Sequence, residues 1–287
     1  MKHVLRSTIL LLACYALSGT TALAQSGKTL LWRISGHNLS RPSYLFGTAH
    51  LICPQQYLWS SSMQHAFDQS AELCLEMNIN DQAELEKYKA GMTDPDGKTL
   101  QTYFTPQQYG ELTRYFKDSL HMDIALIQDL KPVVLAGFIE LKALACPAPV
   151  SYEHNLLAEA AKVNKKISGL EDGAESIRIV NYIPADSITA GVMAMTQGNH
   201  KAREVMGMIL QAYQAQDIDT IAVIARMQLQ GITTPLLDER NANWIPRMIA
   251  KMQQQSVFFA VGAGHLAGHM GVISLLRKAG YTVTPVP

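Results

Sequence analysis

Short apolar runs separated by turn-rich segments mark both ends of the chain. The runs at residues 29–36 and 43–48 flank a turn-rich segment and predict a β-hairpin. Residues 71–78 alternate between apolar and polar side chains, which predicts a third strand, and serines at 60–62 predict the cap of a helix before it. Residues 256–286 read as strand, helix and strand. Strands that alternate with helices predict an α/β fold around a central mixed sheet.

Helical patterns dominate the middle of the chain, about residues 80–235. Thr105 followed by Pro106 is typical of a helix start. One short apolar strand interrupts this region and ends at Gly169-Leu170-Glu171. We therefore expect a single domain over residues 25–287 with a largely helical middle region.

Residues 1–24 have the pattern of a secretory signal peptide. Lys2 and Arg6 precede a short apolar run, and Ala22-Leu23-Ala24 forms a small-residue cleavage site. We predict cleavage after Ala24 and export to the periplasm or the medium. A lipoprotein site at Cys14 is the less favoured alternative, because its apolar region would be very short. No other stretch reaches about 18 consecutive apolar residues, so we expect no transmembrane span in the mature chain.

The charge balance argues against a nucleic-acid partner. The chain has 24 Lys and Arg against 24 Asp and Glu, and it is 48% hydrophobic and 17% charged. Such a composition is typical of a globular protein without a net field toward nucleic acid or anionic membrane. The oligomeric state is left open by the sequence.

Three cysteines lie beyond the predicted signal peptide. Cys53 and Cys146 each precede a proline and so belong to loops, whereas Cys74 lies within a predicted strand. Export permits disulfides, and an odd count leaves at least one thiol unpaired. If a bridge forms, we expect Cys53 to pair with Cys146, and three reduced thiols are the alternative.

Two predicted strands end in the same pattern, Gly-x-x-His. The pairs are Gly47 with His50, and Gly262 with His265. In sheets with helical crossovers, ligands gather at the carboxyl ends of the strands, so we expect both histidines and Glu171 at one edge. Neutral imidazole is a common ligand for Zn²⁺, Mn²⁺ or Fe²⁺. For either histidine alone, a hydrogen-bonded imidazole without a chemical role is the alternative.

Three more residues extend this candidate site. Glu76 is a carboxylate within an apolar strand, which costs free energy unless it is paired or metal-bound. Its alternative is an outward-facing charge on an edge strand. Arg240 and Asn241 are adjacent near a helix start, where they could clamp a substrate carboxylate or phosphate, or simply cap a solvated helix. Two histidines and one carboxylate with open positions could activate water for hydrolysis. The chain has no Gly-x-Ser-x-Gly elbow, which argues against a serine hydrolase of that fold.

Several of these segments together resemble the TraB/GumN family, which includes the Tiki proteases. The resemblance rests on "YLFGTAHL", "LCLEM", "GLED", "ERN" and the terminal "VGAGHLAGHMGVISLLRKAGYTVTPV", which occur in this order. It implies a metal-dependent hydrolase, because Tiki members are described as metalloproteases that use manganese or cobalt. It also implies a fold similar to that of erythromycin esterase and ChaN-like proteins.

The resemblance assigns roles to individual residues. The family motifs fall on Gly47 with His50, Glu76, Gly169-Leu170-Glu171, Arg240 with Asn241, and Gly262 with His265. It implies that His50, Glu76 and His265 are catalytic and hold a divalent metal (Mn, Co or Zn), with Glu76 either a ligand or the general base. Arg240, Asn241 and Glu171 are then expected to bind the substrate.

Two functions follow as hypotheses. The first is an exported metal-dependent hydrolase, in particular a peptidase, that acts on a peptide or another small molecule. The second is a non-enzymatic protein that binds haem or a small ligand in the same pocket. No Met/His or Cys axial-ligand arrangement in the sequence favours haem.

Overall fold

The computed structural model describes residues 28–144, 146–178, 182–197, 199–229 and 233–287. The predicted signal peptide, and with it Cys14, lies outside the described residues. Across these ranges, no helix is both long enough and apolar enough to cross a membrane.

The strands form one six-stranded mixed sheet in the order β4-β3-β5-β2-β1-β6. Strands β4, β3, β5 and β2 run parallel, whereas β1 is antiparallel to both β2 and β6. The prediction of an α/β fold around a mixed sheet is confirmed. The strands are β1 (Leu31–Ser35), β2 (Ser43–Thr48), β3 (Glu72–Met77), β4 (Lys166–Glu171), β5 (Val257–Gly262) and β6 (Thr282–Pro285).

Twelve α-helices are present in the described residues. Between β3 and β5 the described chain adds only one strand to the sheet, so the middle region is largely helical, as predicted. The helices are α1 (Ser61–Gln69), α2 (Gln82–Met92), α3 (Leu100–Tyr103), α4 (Pro106–Leu120), α5 (Pro132–Ala143), α6 (Tyr152–Lys162), α7 (Gly173–Arg178), α8 (Ala185–Gln197), α9 (Asn199–Gln214), α10 (Ile218–Gln228), α11 (Glu239–Gln254) and α12 (Val272–Lys278).

Local sequence signals explain several of these boundaries. The hairpin of β1 and β2 turns through His37 and Asn38, both with positive φ, which asparagine tolerates better than most residues. The side chain of Ser60 caps α1 by accepting from the backbone of Met63. Thr105 does the same for α4, whose first residue is Pro106. These predicted starts are confirmed.

Two hydrophobic clusters hold the described fold together. The larger one covers both faces of the sheet and includes α1, α6, α11 and α12. The smaller one lies among helices of the middle region, and its members include no residue of the six strands. Its buried residues are Leu100, Phe104, Leu112, Phe116, Ile124, Leu135, Ile139, Val192 and Met193.

Strand β3 lies inside the sheet. It pairs with β4 on one side and β5 on the other, and Leu73, Cys74 and Leu75 are all buried. The alternative that Glu76 is a charge on an edge strand is therefore wrong. Both faces of β3 are covered, because the parallel strands of this sheet carry helices on each side.

The carboxyl ends of β2, β3, β4 and β5 meet at one edge of the sheet. The register pairs Thr48 with Gly262, and Met77 with Glu171, so these four strands end at nearly the same level. Because His50 and His265 follow β2 and β5 directly, the topology brings both to this edge.

Candidate functional site at the carboxyl edge of the sheet

The side chains of His50, Glu76 and His265 converge on Gly262. A Cβ atom added to Gly262 would lie 3.3 Å from Oε1 of Glu76, 3.6 Å from Nε2 of His50 and 3.7 Å from Cδ2 of His265. Nε2 of His265 lies 3.9 Å from Oε1 of Glu76. The absent side chain of Gly262 thus leaves a space that all three predicted residues border.

Gly47, the other motif glycine, has a packing role. A Cβ atom there would lie 3.0 Å from Cδ2 of Leu266 and 3.1 Å from Cα of Ala263. Both residues belong to the turn after β5. Gly47 therefore lets the end of β2 lie against the turn that carries His265.

A side-chain amide fixes the orientation of His265. Nδ2 of Asn241 donates to the carbonyl oxygens of Met270 at 2.8 Å and His265 at 3.3 Å, so its Oδ1 faces the ring. Nδ1 of His265 lies 2.7 Å from this Oδ1 and must donate to it. The lone pair of Nε2 therefore points into the site. Burial lowers the pKa of His265 to about 3; Glu76 opposes this shift and the positive charge of Arg240 adds to it. The ring is neutral near pH 7.

Arg240 connects the buried residues of the site. Its Nη2 donates to Oε2 of Glu76 at 2.7 Å, and its Nε donates to Oε1 of Glu171 at 2.7 Å. Its Nη1 lies 3.3 Å from Nε2 of His265, and its guanidinium lies 4.8 Å from the ring centre of Trp244. Burial alone would lower the pKa of Arg240, but Glu76 and Glu171 outweigh it and raise the pKa. A permanently charged guanidinium thus bridges both carboxylates.

Glu76 is held in its ionised form. Oε1 accepts the backbone N–H of Gly262 at 2.7 Å, while Oε2 accepts from Arg240. Burial by itself raises the pKa of Glu76, but the positive charge of Arg240 and the two imidazoles lower it well below its ordinary value. Its side chain keeps 15% exposure. The carboxylate can therefore act as a base or a ligand at neutral pH.

Glu171 and Asn241 reach the site with their polar atoms bonded to protein groups. Oε1 of Glu171 also accepts from Nε1 of Trp244 at 2.7 Å, and Oε2 accepts from Oγ of Ser176 at 3.0 Å. Asn241 is 1% exposed, and all its polar atoms are used on His265 and Met270. In this geometry both residues hold the site in place.

His50 has a different environment. Its side chain is 68% exposed, and Nδ1 lies 3.1 Å from Oε1 of Glu153, on α6. The same oxygen accepts from Oγ1 of Thr48 at 2.8 Å, and Oε2 accepts from Oγ of Ser151 at 3.0 Å. The hydrogen bond to Glu153 raises the pKa of His50 above its ordinary value.

Sequence reasoning missed Glu153. No motif marks it, and more than 100 residues separate it from His50. The one signal available was a carboxylate in the first turn of a helix that begins after Ser151, which is the N-cap of α6.

A disulfide joins Cys53 to Cys146, with the two Cα atoms 5.9 Å apart. An isolated bridge pairs Ile52 with Val150 nearby. Both links tie the loop that follows His50 to the segment that leads into α6. Cys74 is free and buried.

The chemistry of the three donors fits a divalent metal. Glu76 is ionised, Nε2 of His265 has a lone pair that faces Nη1 of Arg240 at 3.3 Å, and Nε2 of His50 borders the same space beside Gly262 as Glu76. Manganese, cobalt and zinc all accept imidazole nitrogen and carboxylate oxygen. Within the described ranges, however, no group of three His, Cys, Asp or Glu side chains is arranged to hold a metal ion. Arg240 bonds to two of the three donors. The three side chains thus offer the kinds of ligand atom that a divalent metal binds.

The fold and site define an α/β protein with two histidines, a glutamate and an arginine at the carboxyl edge of a mixed sheet. The model of the TraB/PrgY/gumN family matches residues 30–285. The chain belongs to this family, as the motifs indicated.

Relatives of this chain include proteins named metalloproteases. Metalloprotease TIKI2 of Danio rerio is 24% identical over 90% of this chain and 61% of the relative. Metalloprotease TIKI2 of Xenopus tropicalis is 23% identical over 94% and 62%, and the Metalloprotease TIKI homolog of Amphimedon queenslandica is 22% identical over 88% and 60%. The chain spans about 60% of the length of these relatives. No solved structure matches it.

Proposed function

We propose that the protein is a metal-dependent hydrolase that cleaves peptide bonds, with His50, Glu76 and His265 as its catalytic residues. The convergence of these side chains on Gly262 carries the proposal. The names of the relatives support a peptidase within the hydrolase class.

Each residue of the site has a distinct task. Glu76, ionised and fixed by Gly262 and Arg240, accepts the proton of the attacking water at a carboxylate oxygen or serves as a ligand. His265 offers the Nε2 lone pair, because Asn241 holds its proton on Nδ1. Arg240 keeps Glu76 and His265 in place. His50, Glu76 and His265 would hold a manganese, cobalt or zinc ion, which lowers the pKa of a bound water and polarises a carbonyl oxygen.

A small cleft lies next to Arg240, between Glu175, Tyr182 and Arg247, with a volume of about 60 Å³. His50, Glu76 and His265 do not line it. The names of the relatives, and not the shape of this cleft, favour hydrolysis over the haem-binding alternative. We propose that Arg240, Asn241 and Glu171 contribute to substrate binding indirectly, by positioning other groups of the site.

The test combines metal analysis with a peptide-library cleavage assay in the presence of Mn²⁺, Co²⁺ or Zn²⁺. We expect cleavage by the wild type and its loss in His50→Ala and His265→Ala. Glu76→Gln that keeps metal but not turnover marks Glu76 as the general base, whereas lost metal marks it as a ligand. Glu86→Gln, an exposed carboxylate on α2, is the matched control and should be unchanged. A Soret band in purified protein, with no metal-dependent cleavage, would contradict the proposal.

We further propose export with cleavage after Ala24. A disulfide between Cys53 and Cys146 supports an oxidising compartment. N-terminal sequencing of exported material should begin at Gln25, and non-reducing peptide mapping should recover the Cys53–Cys146 pair. Lipid on Cys14 in the membrane fraction would contradict cleavage at Ala24.

A further inference from the structure

We propose that Glu153 is a positioning residue that fixes the imidazole of His50, so that Nδ1 carries a proton and Nε2 faces the site. Its catalytic meaning rests on the proposed function, but the orientation itself does not. Nδ1 of His50 lies 3.1 Å from Oε1 of Glu153, and Nε2 lies 3.6 Å from the position of a Cβ on Gly262.

Two hydroxyl groups keep the carboxylate of Glu153 in place. Thr48 Oγ1 donates to Oε1 at 2.8 Å, and Ser151 Oγ donates to Oε2 at 3.0 Å. Thr48 ends β2, two residues before His50, so the strand that carries the histidine also anchors its partner. The side chain of Glu153 is 15% exposed, whereas that of His50 is 68% exposed. The better-buried carboxylate thus holds the more exposed ring.

The chemistry of the contact decides which nitrogen carries the proton. An ionised carboxylate accepts hydrogen bonds and donates none, so Nδ1 of His50 must donate. Both carboxylate oxygens of Glu153 face hydrogen-bond donors, since Oε1 accepts from Thr48 and Oε2 accepts from Ser151, which agrees with an ionised carboxylate. When the ring is neutral, Nε2 is left with the lone pair.

The same arrangement recurs at His265 with different parts. There the oxygen that accepts from Nδ1 belongs to Asn241 on α11, Cδ2 borders the space beside Gly262, and Nε2 lies 3.9 Å from Oε1 of Glu76. Each histidine therefore has a side-chain oxygen next to its Nδ1, and its Nε2 lies on the opposite side of the ring. A partner behind an imidazole fixes its tautomer and orientation, and its loss typically costs about 10–100-fold in metal affinity or activity.

The experiment compares Glu153→Gln with Glu159→Gln in metal-free protein. Glu159 is the control because it lies on the same helix and pairs with Lys162 at the surface. Nitrogen-15 NMR of the histidine rings, with His50 assigned by its absence in His50→Ala, reads the tautomer on the alkaline side of its titration. We expect Nδ1–H in the wild type and in Glu159→Gln. Glu153→Gln should give a mixture of tautomers, because a glutamine side chain can donate as well as accept.

Kinetics adds a second reading. Glu153→Gln should lower kcat by about 10–100-fold with little change in KM. Thr48→Val removes one hydrogen bond to the Glu153 carboxylate and keeps the shape of the threonine side chain. It should give a smaller change in the same direction. If the His50 tautomer is unchanged in both Glu153→Gln and Thr48→Val, the inference is overturned. A shifted tautomer in a protein without hydrolytic activity would instead leave the inference standing and contradict the proposed function.

Discussion

The two halves of the site are held in different ways. The buried half comprises His265, Asn241, Arg240, Glu171 and Glu76, which bond to one another and to backbone groups. The other half, which we call exposed, is centred on His50, whose side chain is 68% exposed. Glu153, held by the hydroxyls of Thr48 and Ser151, lies behind its imidazole. The His265 ring is neutral through burial, whereas its counterpart in the exposed half has a raised pKa.

Because of this difference, substitutions in the two halves should affect the stability of the fold to different extents. In the buried half the charged side chains form ion pairs with one another. Removing one of them therefore leaves its partner unpaired and away from water. At His50 water can replace a lost partner, because its side chain is 68% exposed. We therefore expect changes in the buried half to affect both folding and hydrolysis, and changes to His50 to affect hydrolysis alone.

The largest expected effect comes from Arg240→Ala. Glu76 and Glu171, with side chains 15% and 6% exposed, would lose their common cation. We expect the free energy of unfolding to fall by about 3–5 kcal/mol, measured by urea denaturation. His50→Ala should cost less than about 0.5 kcal/mol, because its side chain is exposed.

Arg247→Ala provides the control for Arg240→Ala. It removes another α11 arginine, whose partner Glu175 is 29% exposed, and should cost at most about 1 kcal/mol. Equal losses for the two arginine variants would show that the buried half is no more tightly coupled than the surface.

A second test uses acid to isolate the cost of a buried carboxylate far from the chemistry. Glu72 lies at the other end of β3 and is 1% exposed. Burial raises its pKa, but hydrogen bonds with Lys166, Ser168 and Lys251 outweigh this and lower the pKa to about 2 from an ordinary 4.5. Because the folded pKa is depressed, the stabilisation is complete above about pH 4.5 and is lost as the pH falls toward 2.

The corresponding loss is about 3 kcal/mol. Urea midpoints between pH 6 and pH 2 should show this acid-dependent part in the wild type and not in Glu72→Gln. Cleavage near neutral pH should be the same in both proteins. An identical acid slope in the variant would mean that Glu72 is not the group responsible.

A smaller effect than those at Arg240 and Glu72 is expected at the two motif glycines, and it differs between them. Gly47→Ala would press a methyl group against Cα of Ala263, and we expect a loss of about 1–3 kcal/mol in unfolding free energy. Gly262→Ala meets only side-chain atoms at 3.3–3.7 Å, so its cost should be below that of Gly47→Ala. Its methyl group would fill the space between the catalytic side chains, and cleavage should fall sharply. The reverse pattern would contradict the roles given to the two glycines.

Much of the fold could be predicted from local patterns. The hairpin of β1 and β2, the caps at Ser60 and Thr105 and the strand at Glu171 all follow from residues close together in the chain. The order of the strands could not, because the position of β5 between β2 and β3 depends on pairing between residues 214 and 185 positions apart in the chain. For the same reason the interior position of β3 was not visible in its alternating pattern.

The candidate site shows the same limit. Spacing and family motifs pointed to His50, Glu76 and His265, because each follows or ends an apolar strand. The tautomer of His265 could not be predicted, since it depends on which carbonyl groups Asn241 meets. Glu153 could not be found either, because its role arises only when α6 lies beside the end of β2.

The central claim is that His50 and His265 serve one hydrolytic site, and kcat/KM for the two single variants and the double variant tests it most directly. The account predicts that His50→Ala and His265→Ala each remove nearly all metal-dependent peptide cleavage. The double variant should be little worse than either one, because parts of one catalytic unit are not additive. His269→Ala, an exposed histidine four residues after His265, should leave the rate unchanged. Losses that multiply in the double variant, or full activity in either single variant, would contradict a shared site.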